Sequence, residues 1–194
     1  MAALFGFGLA VAQGPALTGQ SARALADEEV PPSRQVVILL RALAYDGNLK
    51  SRAGATIDVA VLFKKGHARS EQMAATMAKA FGALSTTQVA GLPITVSRIG
   101  YGGTEALGKT ISGAGIDLVY VCEGLEGDLG AISDATHRNR ALTVGSRQEH
   151  VHGGLSLGVF QSDEKVTILL NLQASRQEGA AFAPDLLRLA SVIR

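Results

Sequence analysis

Residues 103–110 have the types and spacing of a phosphate-binding loop. Their sequence, GTEALGKT, matches the pattern G-x-x-x-x-G-K-[ST] at Gly103, Gly108, Lys109 and Thr110. In such a loop, backbone N–H groups surround the phosphates, the lysine reaches the β- and γ-phosphate oxygens, and the hydroxyl binds magnesium. If the match is functional, the protein binds a nucleoside triphosphate.

The context of this match argues against a phosphate loop. An apolar strand precedes it, as required, but the loop must also open a long helix whose N-terminus attracts the anion. Only two residues separate Thr110 from Gly113, and the next apolar run begins at Ile116. A helix of roughly one and a half turns is too short to cross between parallel strands. We therefore expect a short helix at 105–112, capped by Thr104, and keep nucleotide binding as an alternative.

The histidines form only a partial metal-binding pattern. Glu149, His150 and His152 lie in the segment EHVHGG, and His67 and His137 are the other two histidines. A zinc site needs three or four protein ligands, and nothing in the sequence links the distant imidazoles to this segment. We expect exposed loop histidines and no metal site.

No other constellation predicts catalysis. The carboxylates Asp117, Glu123, Asp128 and Asp134 show no diagnostic spacing, and such charges usually lie on solvated helix faces. Cys122 is the only cysteine, so no intrachain disulfide is possible, and a lone cysteine inside a strand usually packs in the core. The sequence therefore predicts no catalytic residue, no cofactor and no enzymatic activity.

Composition excludes several classes of partner. The chain has 194 residues, a formal net charge of +1 and no tryptophan, and 18% of its residues are charged. A nearly neutral chain gives no electrostatic reason to bind nucleic acid, and few aromatic side chains are present for base stacking. We expect a globular protein that does not bind nucleic acid.

The N-terminal segment resembles an export signal. It opens with the apolar run MAALFGFGLAVA, and Ala22 and Ala24 form an A-x-A cleavage pattern, although no basic residue precedes the run. The run is too short to span a bilayer, so no membrane insertion is expected after its removal. We predict an export signal at 1–24, a linker at 25–35 and one domain at 36–194.

Apolar periodicity predicts a single α/β domain with a mixed, mostly parallel sheet flanked by helices. Strands are expected at 56–63, 92–100, 116–122 and 141–145. Helices are expected at 34–46 (capped by Ser33), 69–84, 105–112 and 126–139. Runs at 155–161 and 165–171 predict a C-terminal antiparallel hairpin, and closing helices follow at 172–179 and 183–193, the last opened by Pro184.

The C-terminal segment carries a family resemblance. A short LTV strand, a Gly-Gly turn, a hairpin, an Asn-Leu pair and a closing Leu-Leu-x-Leu follow one another in order. The positions that match the family pattern, including single residues between these features, are 142–144, 153–154, 159–160, 171–172, Arg176, Gly179, 186–187, Leu189 and Val192. This combination resembles the YfiR/HmsC-like family of periplasmic regulatory proteins. Only Tyr45 is aromatic in the predicted first helix, and Cys122 cannot form the cysteine pairs of several members, so the chain resembles a divergent branch.

The resemblance implies a non-enzymatic regulator located in the periplasm. Members bind the periplasmic sensor domain of an inner-membrane diguanylate cyclase and hold it inactive, which sets cyclic-di-GMP levels and biofilm formation. That sensor domain is therefore the implied partner, and a homodimer is left open. Two alternatives remain: nucleotide binding at 103–110, and an envelope ligand-binding module of unknown target.

Overall fold

The computed structural model describes residues 30–162 and 165–193. The predicted export signal (1–24) and residues 25–29 of the predicted linker (25–35) lie outside the described residues, so both stay predictions. Residues 32–35 of the linker already belong to the first helix.

A seven-stranded sheet forms the centre of the described domain. Its strands are β1 (Ile57–Phe63), β2 (Ile94–Gly100), β3 (Leu118–Val121), β4 (Leu142–Gly145), β5 (Leu157–Ser162), β6 (Lys165–Asn171) and β7 (Ser191–Ile193). The spatial order is β2-β1-β3-β4-β5-β6-β7. The first five are parallel, β6 is antiparallel to β5, and β7 is parallel to β6. The predicted fold class, with its C-terminal hairpin, is confirmed.

Helices cover both faces of the sheet. They are α1 (Pro32–Leu43), α2 (Leu49–Ala53), α3 (Ala68–Gly82), α4 (Thr104–Ala114), α5 (Leu129–Asn139), α6 (Gln148–His152), α7 (Leu172–Gln177) and α8 (Pro184–Leu189). A 3-10 turn (Glu126–Asp128) precedes α5. α1 and α3 pack on one face, and α4 and α5 pack on the other.

Side chains of the inner strands alternate between two apolar cores, because successive strand residues point to opposite faces. In β1, Val59 and Val61 pack with α1 and α3, whereas Ala60 and Leu62 pack with α4 and α5. All four residues of β3 are buried. Strands covered on both faces have near-continuous apolar sequences, which is the pattern that predicted them.

Two predicted helix caps are wrong. α1 begins at Pro32, a residue favoured in the first helical turn, so Ser33 lies inside that turn and caps nothing. α4 begins at Thr104 itself, and the residue before it, Gly103, has a φ of 94° that glycine adopts without the steric penalty of a side chain.

The last helix is shorter than predicted. α8 begins at Pro184, as expected, but ends at Leu189, which is 67% exposed. The following residues form β7 and pair with β6, so they satisfy backbone groups at the free edge of the hairpin. At the same end of β6, the Asn171 side chain accepts a hydrogen bond from the N–H of Ala174 at 3.0 Å and caps α7.

Near the amino ends of the parallel strands, a buried ion pair links segments from the beginning, middle and end of the domain. Arg52 Nη2 lies 2.8 Å from Asp46 Oδ2, and the two side chains are 9% and 0% exposed. Arg52 also donates to the carbonyl of Arg140 at 3.1 Å, and Asp46 Oδ1 accepts from the N–H of Ala181 at 2.8 Å. The pair therefore joins the α1–α2 connection to the start of β4 and to the segment before α8.

Glu178 is a second buried carboxylate on this side of the domain. It accepts hydrogen bonds from the hydroxyl of Thr136 (3.1 Å), from the N–H and hydroxyl of Thr143 (both 2.8 Å) and from the hydroxyl of Ser156. His137 Nε2 lies 3.8 Å from its Oε1. Burial raises the pKa of Glu178 to about 7, although the hydrogen bonds act to lower it.

The raised pKa makes the stability of the fold depend on pH. Because the folded state raises the pKa of Glu178 from 4.5 to about 7, its stabilising contribution is complete below pH 4.5 and is lost as the pH rises through 7. The total change is on the order of 3 kcal/mol. Burial lowers the pKa of His137 and of His150, so these two residues make the free energy of unfolding rise with pH, opposite to the effect of Glu178. The effect of Glu178 must therefore be measured against a variant that keeps both histidines.

We expect Glu178→Gln to remove this titration, because the amide matches the carboxyl group in size and carries no charge at any pH. Urea unfolding at about pH 5 and about pH 8 measures the free energy of unfolding of both proteins. The wild type should lose stability relative to the variant as the pH rises. Parallel pH profiles would show that Glu178 titrates at its ordinary value.

Candidate functional site

The connections after β1 and β3 leave the sheet toward opposite faces. α3 follows β1 on one face, and α5 follows β3 on the other. In doubly wound α/β sheets, a crevice opens at such a switch point outside the carboxyl ends of the strands, and ligands bind there. This edge is therefore the first place to look for a site.

A cleft of about 550 Å³ lies at this edge. We call it the carboxyl-edge cleft. Its walls come from the start of α3, from the residues after β3 and β4, and from β5. Among the residues that line it are Gln35, Arg69, Glu123, Ser146, Arg147 and Val159. Its volume is within the range of small-molecule sites, about 300 to 1,000 Å³.

The polar floor of the cleft is already hydrogen-bonded. Gln35 is 5% exposed, and its Nε2 donates to the carbonyl of Val159 at 2.9 Å. Its Oε1 accepts from the hydroxyl of Tyr120 at 3.0 Å. These bonds hold α1 against β3 and β5 and give the cleft a fixed base.

The two arginines of the cleft differ in their partners. Arg147 Nη1 lies 3.3 Å from Glu123 Oε2, and Arg147 Nε lies 3.7 Å from Glu149 Oε2. Arg69, the second residue of α3, makes no ion pair or side-chain hydrogen bond with any residue that the structure describes. One guanidinium is thus shared by two carboxylates, and the other is available.

Ser146 places an unpaired hydroxyl in the cleft wall. It follows β4 directly, is 9% exposed, and its N–H donates to the carbonyl of Val121 at 3.1 Å. Its Oγ is buried and has no hydrogen-bond partner among the described residues. A buried hydroxyl in that state costs about 1–3 kcal/mol, so native structures rarely retain one.

The prediction that His150 and His152 are exposed loop residues is partly wrong. His150 and His152 lie in the short helix α6, where His150 is fully buried and His152 is exposed. Residues two apart on a helix do not face each other, so the two imidazoles cannot chelate one ion. His150 Nε2 lies 3.3 Å from Glu126 Oε1, and burial lowers the pKa of its imidazole. Its contact joins α6 to the β3–α5 connection.

The phosphate-loop residues lie in a helix, away from the cleft. Gly108, Lys109 and Thr110 are inside α4, as the sequence predicts. Lys109 Nζ lies 2.7 Å from Glu105 Oε1, and the Thr110 hydroxyl donates to the carbonyl of Ala106 at 2.9 Å. Their backbone N–H groups are committed to the helix and cannot surround a phosphate.

The remaining sequence candidates are not brought together. Asp117 precedes β3 and accepts from the N–H of Asp58 at 2.9 Å, whereas Glu123 follows β3 at the opposite edge. Cys122 is fully buried, and burial raises the pKa of its thiol to about 12, so it remains protonated. Among the described residues, no group of three or more His, Cys, Asp or Glu side chains is placed to hold a metal ion. Within the same residues, no helix has the length and apolar character needed to cross a bilayer.

Sequence reasoning named Glu123 and Glu149 but missed two other polar residues of the cleft, Ser146 and Arg69. Ser146 and Arg69 belong to no motif, and they are far apart in the chain. One signal was available. Each residue comes shortly after a strand that was expected to be parallel, and the carboxyl ends of such strands define the crevice. Glu178 gave no comparable signal, because its partners lie on three other elements.

The fold and the cleft together define a doubly wound α/β domain with a mixed, mostly parallel sheet. Solved structures share this fold. A conserved domain protein from Vibrio cholerae O1 biovar El Tor has a TM-score of 0.59 at 10% identity, covering 84% of this chain and 60% of that one. An ABC domain in complex with L-Trp from Streptococcus pneumonia has a TM-score of 0.59 at 12% identity, with the same coverage.

A third structure is the ligand-free, open form of a substrate-binding protein with adhesive properties from Clostridium difficile. Its TM-score is 0.52 at 13% identity, covering 76% of this chain and 57% of that one. The chain thus spans about 60% of the length of the first two structures. At these identities the likeness shows the fold alone. No curated protein matches the chain.

The sequence profile of the YfiR/HmsC-like family matches residues 58–191. The match covers well over half of the chain and runs from β1 to the first residue of β7. The chain belongs to the YfiR/HmsC-like family, which confirms the resemblance found in the sequence. Membership supports a periplasmic, regulatory role in general.

We expect Lys109→Ala to leave the affinity for Mg²⁺-ATP unchanged, because the lysine side chain only pairs with Glu105 on the exposed face of α4. Such exposed helical pairs contribute about 0.3–0.5 kcal/mol, so the free energy of unfolding should change by no more than that. Calorimetric titration of wild type and variant with Mg²⁺-ATP provides the measurement. Tight binding by the wild type that the variant loses would restore the phosphate-loop interpretation.

Proposed function

We propose that this protein is an exported, non-enzymatic regulator that binds the periplasmic sensor domain of an inner-membrane diguanylate cyclase and represses it. By this action it lowers cyclic-di-GMP and biofilm formation. The family match over residues 58–191 is the observation that carries the proposal. It spans the core of the domain, and so it concerns the whole fold and not an isolated motif.

The residues behind the resemblance have structural tasks in this fold. Asn171 caps α7, Gly154 turns the chain toward β5 with a φ of 110°, and Leu186 packs in the core at 1% exposure. Leu189, which belongs to the same set, is 67% exposed. We propose that regulation by contact uses the surface that the buried members of the set support.

A second candidate function is ligand binding in the cell envelope. The carboxyl-edge cleft favours it, because it lies where doubly wound domains bind ligands and has the volume of a small-molecule site. Two of the structures with the same fold are described as a complex with L-Trp and as a substrate-binding protein. Ligand binding and repression of a cyclase are compatible, since a ligand that prefers one state of a protein shifts its equilibrium.

The regulatory proposal predicts that repression requires export. In a native host from which the gene has been deleted, the full chain should lower cyclic-di-GMP, and residues 25–194 without the leader should not. The reason is that the proposed partner domain lies outside the cytoplasm. A fluorescent cyclic-di-GMP reporter measures the effect, and crosslinking tests for contact with the cyclase.

Two controls make this experiment specific. Residues 25–194 fused to an established export signal should restore repression, and full-length Lys109→Ala should repress like the wild type. Equal repression by the chain with and without the leader would contradict the proposed location. An unchanged cyclic-di-GMP level on deletion of the gene would contradict the proposed target.

A further inference from the structure

We propose that the outer edge of β2 (Ile94–Gly100) pairs antiparallel with β2 of a second copy of this chain, so that two seven-stranded sheets join into one. The interaction surface is the backbone edge of β2, and its occupant is the same strand related by a two-fold axis. The inference is independent of the proposed function, because it involves neither the carboxyl-edge cleft nor a cyclase.

The two edge strands of the sheet differ in how they are protected from pairing. β7 has three residues, and a very short edge strand is one way in which proteins prevent contact between sheets. β2 has seven residues in an unbroken register with β1, from Ile94 opposite Ile57 to Gly100 opposite Phe63. It contains no proline, no lysine and no bulge, which are other devices that protect an edge. Among the described residues, no strand pairs with its outer side.

The backbone of β2 directs hydrogen-bonding groups away from the sheet. The carbonyl of Pro93 accepts from the N–H of Ile57 at 2.9 Å. The N–H of Tyr101 donates to the carbonyl of Phe63 at 2.8 Å. Along a strand, successive residues direct both backbone groups to opposite sides, so the odd-numbered positions of β2 bond to β1. The even-numbered positions, 94, 96, 98 and 100, therefore direct their N–H and C=O groups outward.

A two-fold axis through Ser97 gives the register that uses these outward groups. It places Ser97 opposite Ser97 of the second copy, Val96 opposite Arg98, and Ile94 opposite Gly100. Each hydrogen-bonded pair then consists of two even-numbered residues, as antiparallel pairing requires. Opposite residues also lie on the same face of the joined sheet, because their numbers differ by an even amount. A shift of one residue would break both conditions.

The side chains of β2 suit this register. Arg98 is the one charged residue of the strand, is exposed, and makes no ion pair or side-chain hydrogen bond with any residue that the structure describes. In the dimer it lies opposite the half-buried Val96 and not opposite the second Arg98, so like charges do not face each other directly. The methylene groups of the arginine can cover the valine while its guanidinium stays in water.

Pairing of β2 with itself also limits the assembly to two copies. A two-fold contact uses the same patch of both molecules and is complete when two have joined. The outer edges of the joined sheet are then two β7 strands of three residues each, which are too short to continue the pairing. A long open edge is otherwise an aggregation site, so the dimer explains how this edge is covered.

A disulfide at the two-fold axis tests the pairing and its register. Ser97 is exposed, and in the dimer its Cα lies about 4.5 Å from that of the second Ser97, within the range of a disulfide. Ser97→Cys in the full chain should therefore form a covalent dimer under mild oxidation. Thr95→Cys, on the same face, is the matched control, because the two copies of residue 95 lie roughly 14 Å apart. Cys122 is fully buried and should not react in either variant.

A charge test measures the same register without a new covalent bond. Sedimentation equilibrium of the purified full chain should show dimerisation with a Kd on the order of 10 μM, as a small interface allows. Val96→Lys places a lysine opposite Arg98 twice in each dimer, whereas Val96→Glu places a glutamate there. We expect the lysine variant to dimerise about tenfold or more weakly than the glutamate variant. Adding Arg98→Glu to Val96→Lys should restore dimerisation.

Three outcomes would overturn the inference. They are a wild type that stays monomeric at about 1 mM, equal crosslinking of Ser97→Cys and Thr95→Cys, and equal dimerisation of Val96→Lys and Val96→Glu. Thermal unfolding of each variant shows whether it is folded, and if a charged variant is not, the two cysteine variants decide the question alone. None of these results bears on the cyclic-di-GMP assay, which tests the regulatory proposal separately.

Discussion

Burial of both faces of the inner strands is the constraint on which the rest of this structure depends. β3 has no exposed residue, and β1 sends alternate side chains into two separate cores. Such strands need helices on both sides, so the chain must cross once over each face as it passes from β1 to β2 and then to β3. The connections after β1 and β3 lead to helices on opposite faces, α3 and α5, and this divergence opens the crevice at the carboxyl edge. The position of the candidate site is therefore a consequence of how the core is covered.

Buried charges on the amino side of the sheet find partners within the protein. Asp46 pairs with Arg52, and Glu178 accepts four hydrogen bonds. These networks are not complete, because Arg52 Nε and His137 Nε2 are buried without a hydrogen-bond partner among the described residues. An arginine-lined hollow also lies there, and it adjoins the C-terminal ends of α4 and α5, whose exposed carbonyl groups attract cations and disfavour anions. Satisfied polar networks stabilise a fold, whereas each unpaired buried atom costs free energy.

Local patterns predicted the fold well, because the strands and helices depend on periodicities of two and 3.6 residues that each segment carries by itself. The inner strands, α3, α4, α5 and the hairpin all formed where apolar runs indicated them. Features that depend on distant partners were not predictable in the same way. The burial of His150 depends on its contact with the β3–α5 connection, and β7 forms because β6 offers a free edge. Glu178 joins Thr136, Thr143 and Ser156, which no local pattern connects. The cleft is likewise assembled from five segments: α1, the start of α3, the residues after β3, the residues after β4, and β5.

The phosphate-loop match shows why a short pattern cannot define a site without its backbone. In α4, the lysine and threonine of the pattern bond to Glu105 and Ala106 within the same helix. The chain then turns back to the sheet through Gly115, which adopts the left-handed conformation at the end of the helix. Residues that would hold a phosphate are thus used to build a crossover. The cleft presents the reverse case: it matches no pattern, and only the fold brings the residues of its five segments together.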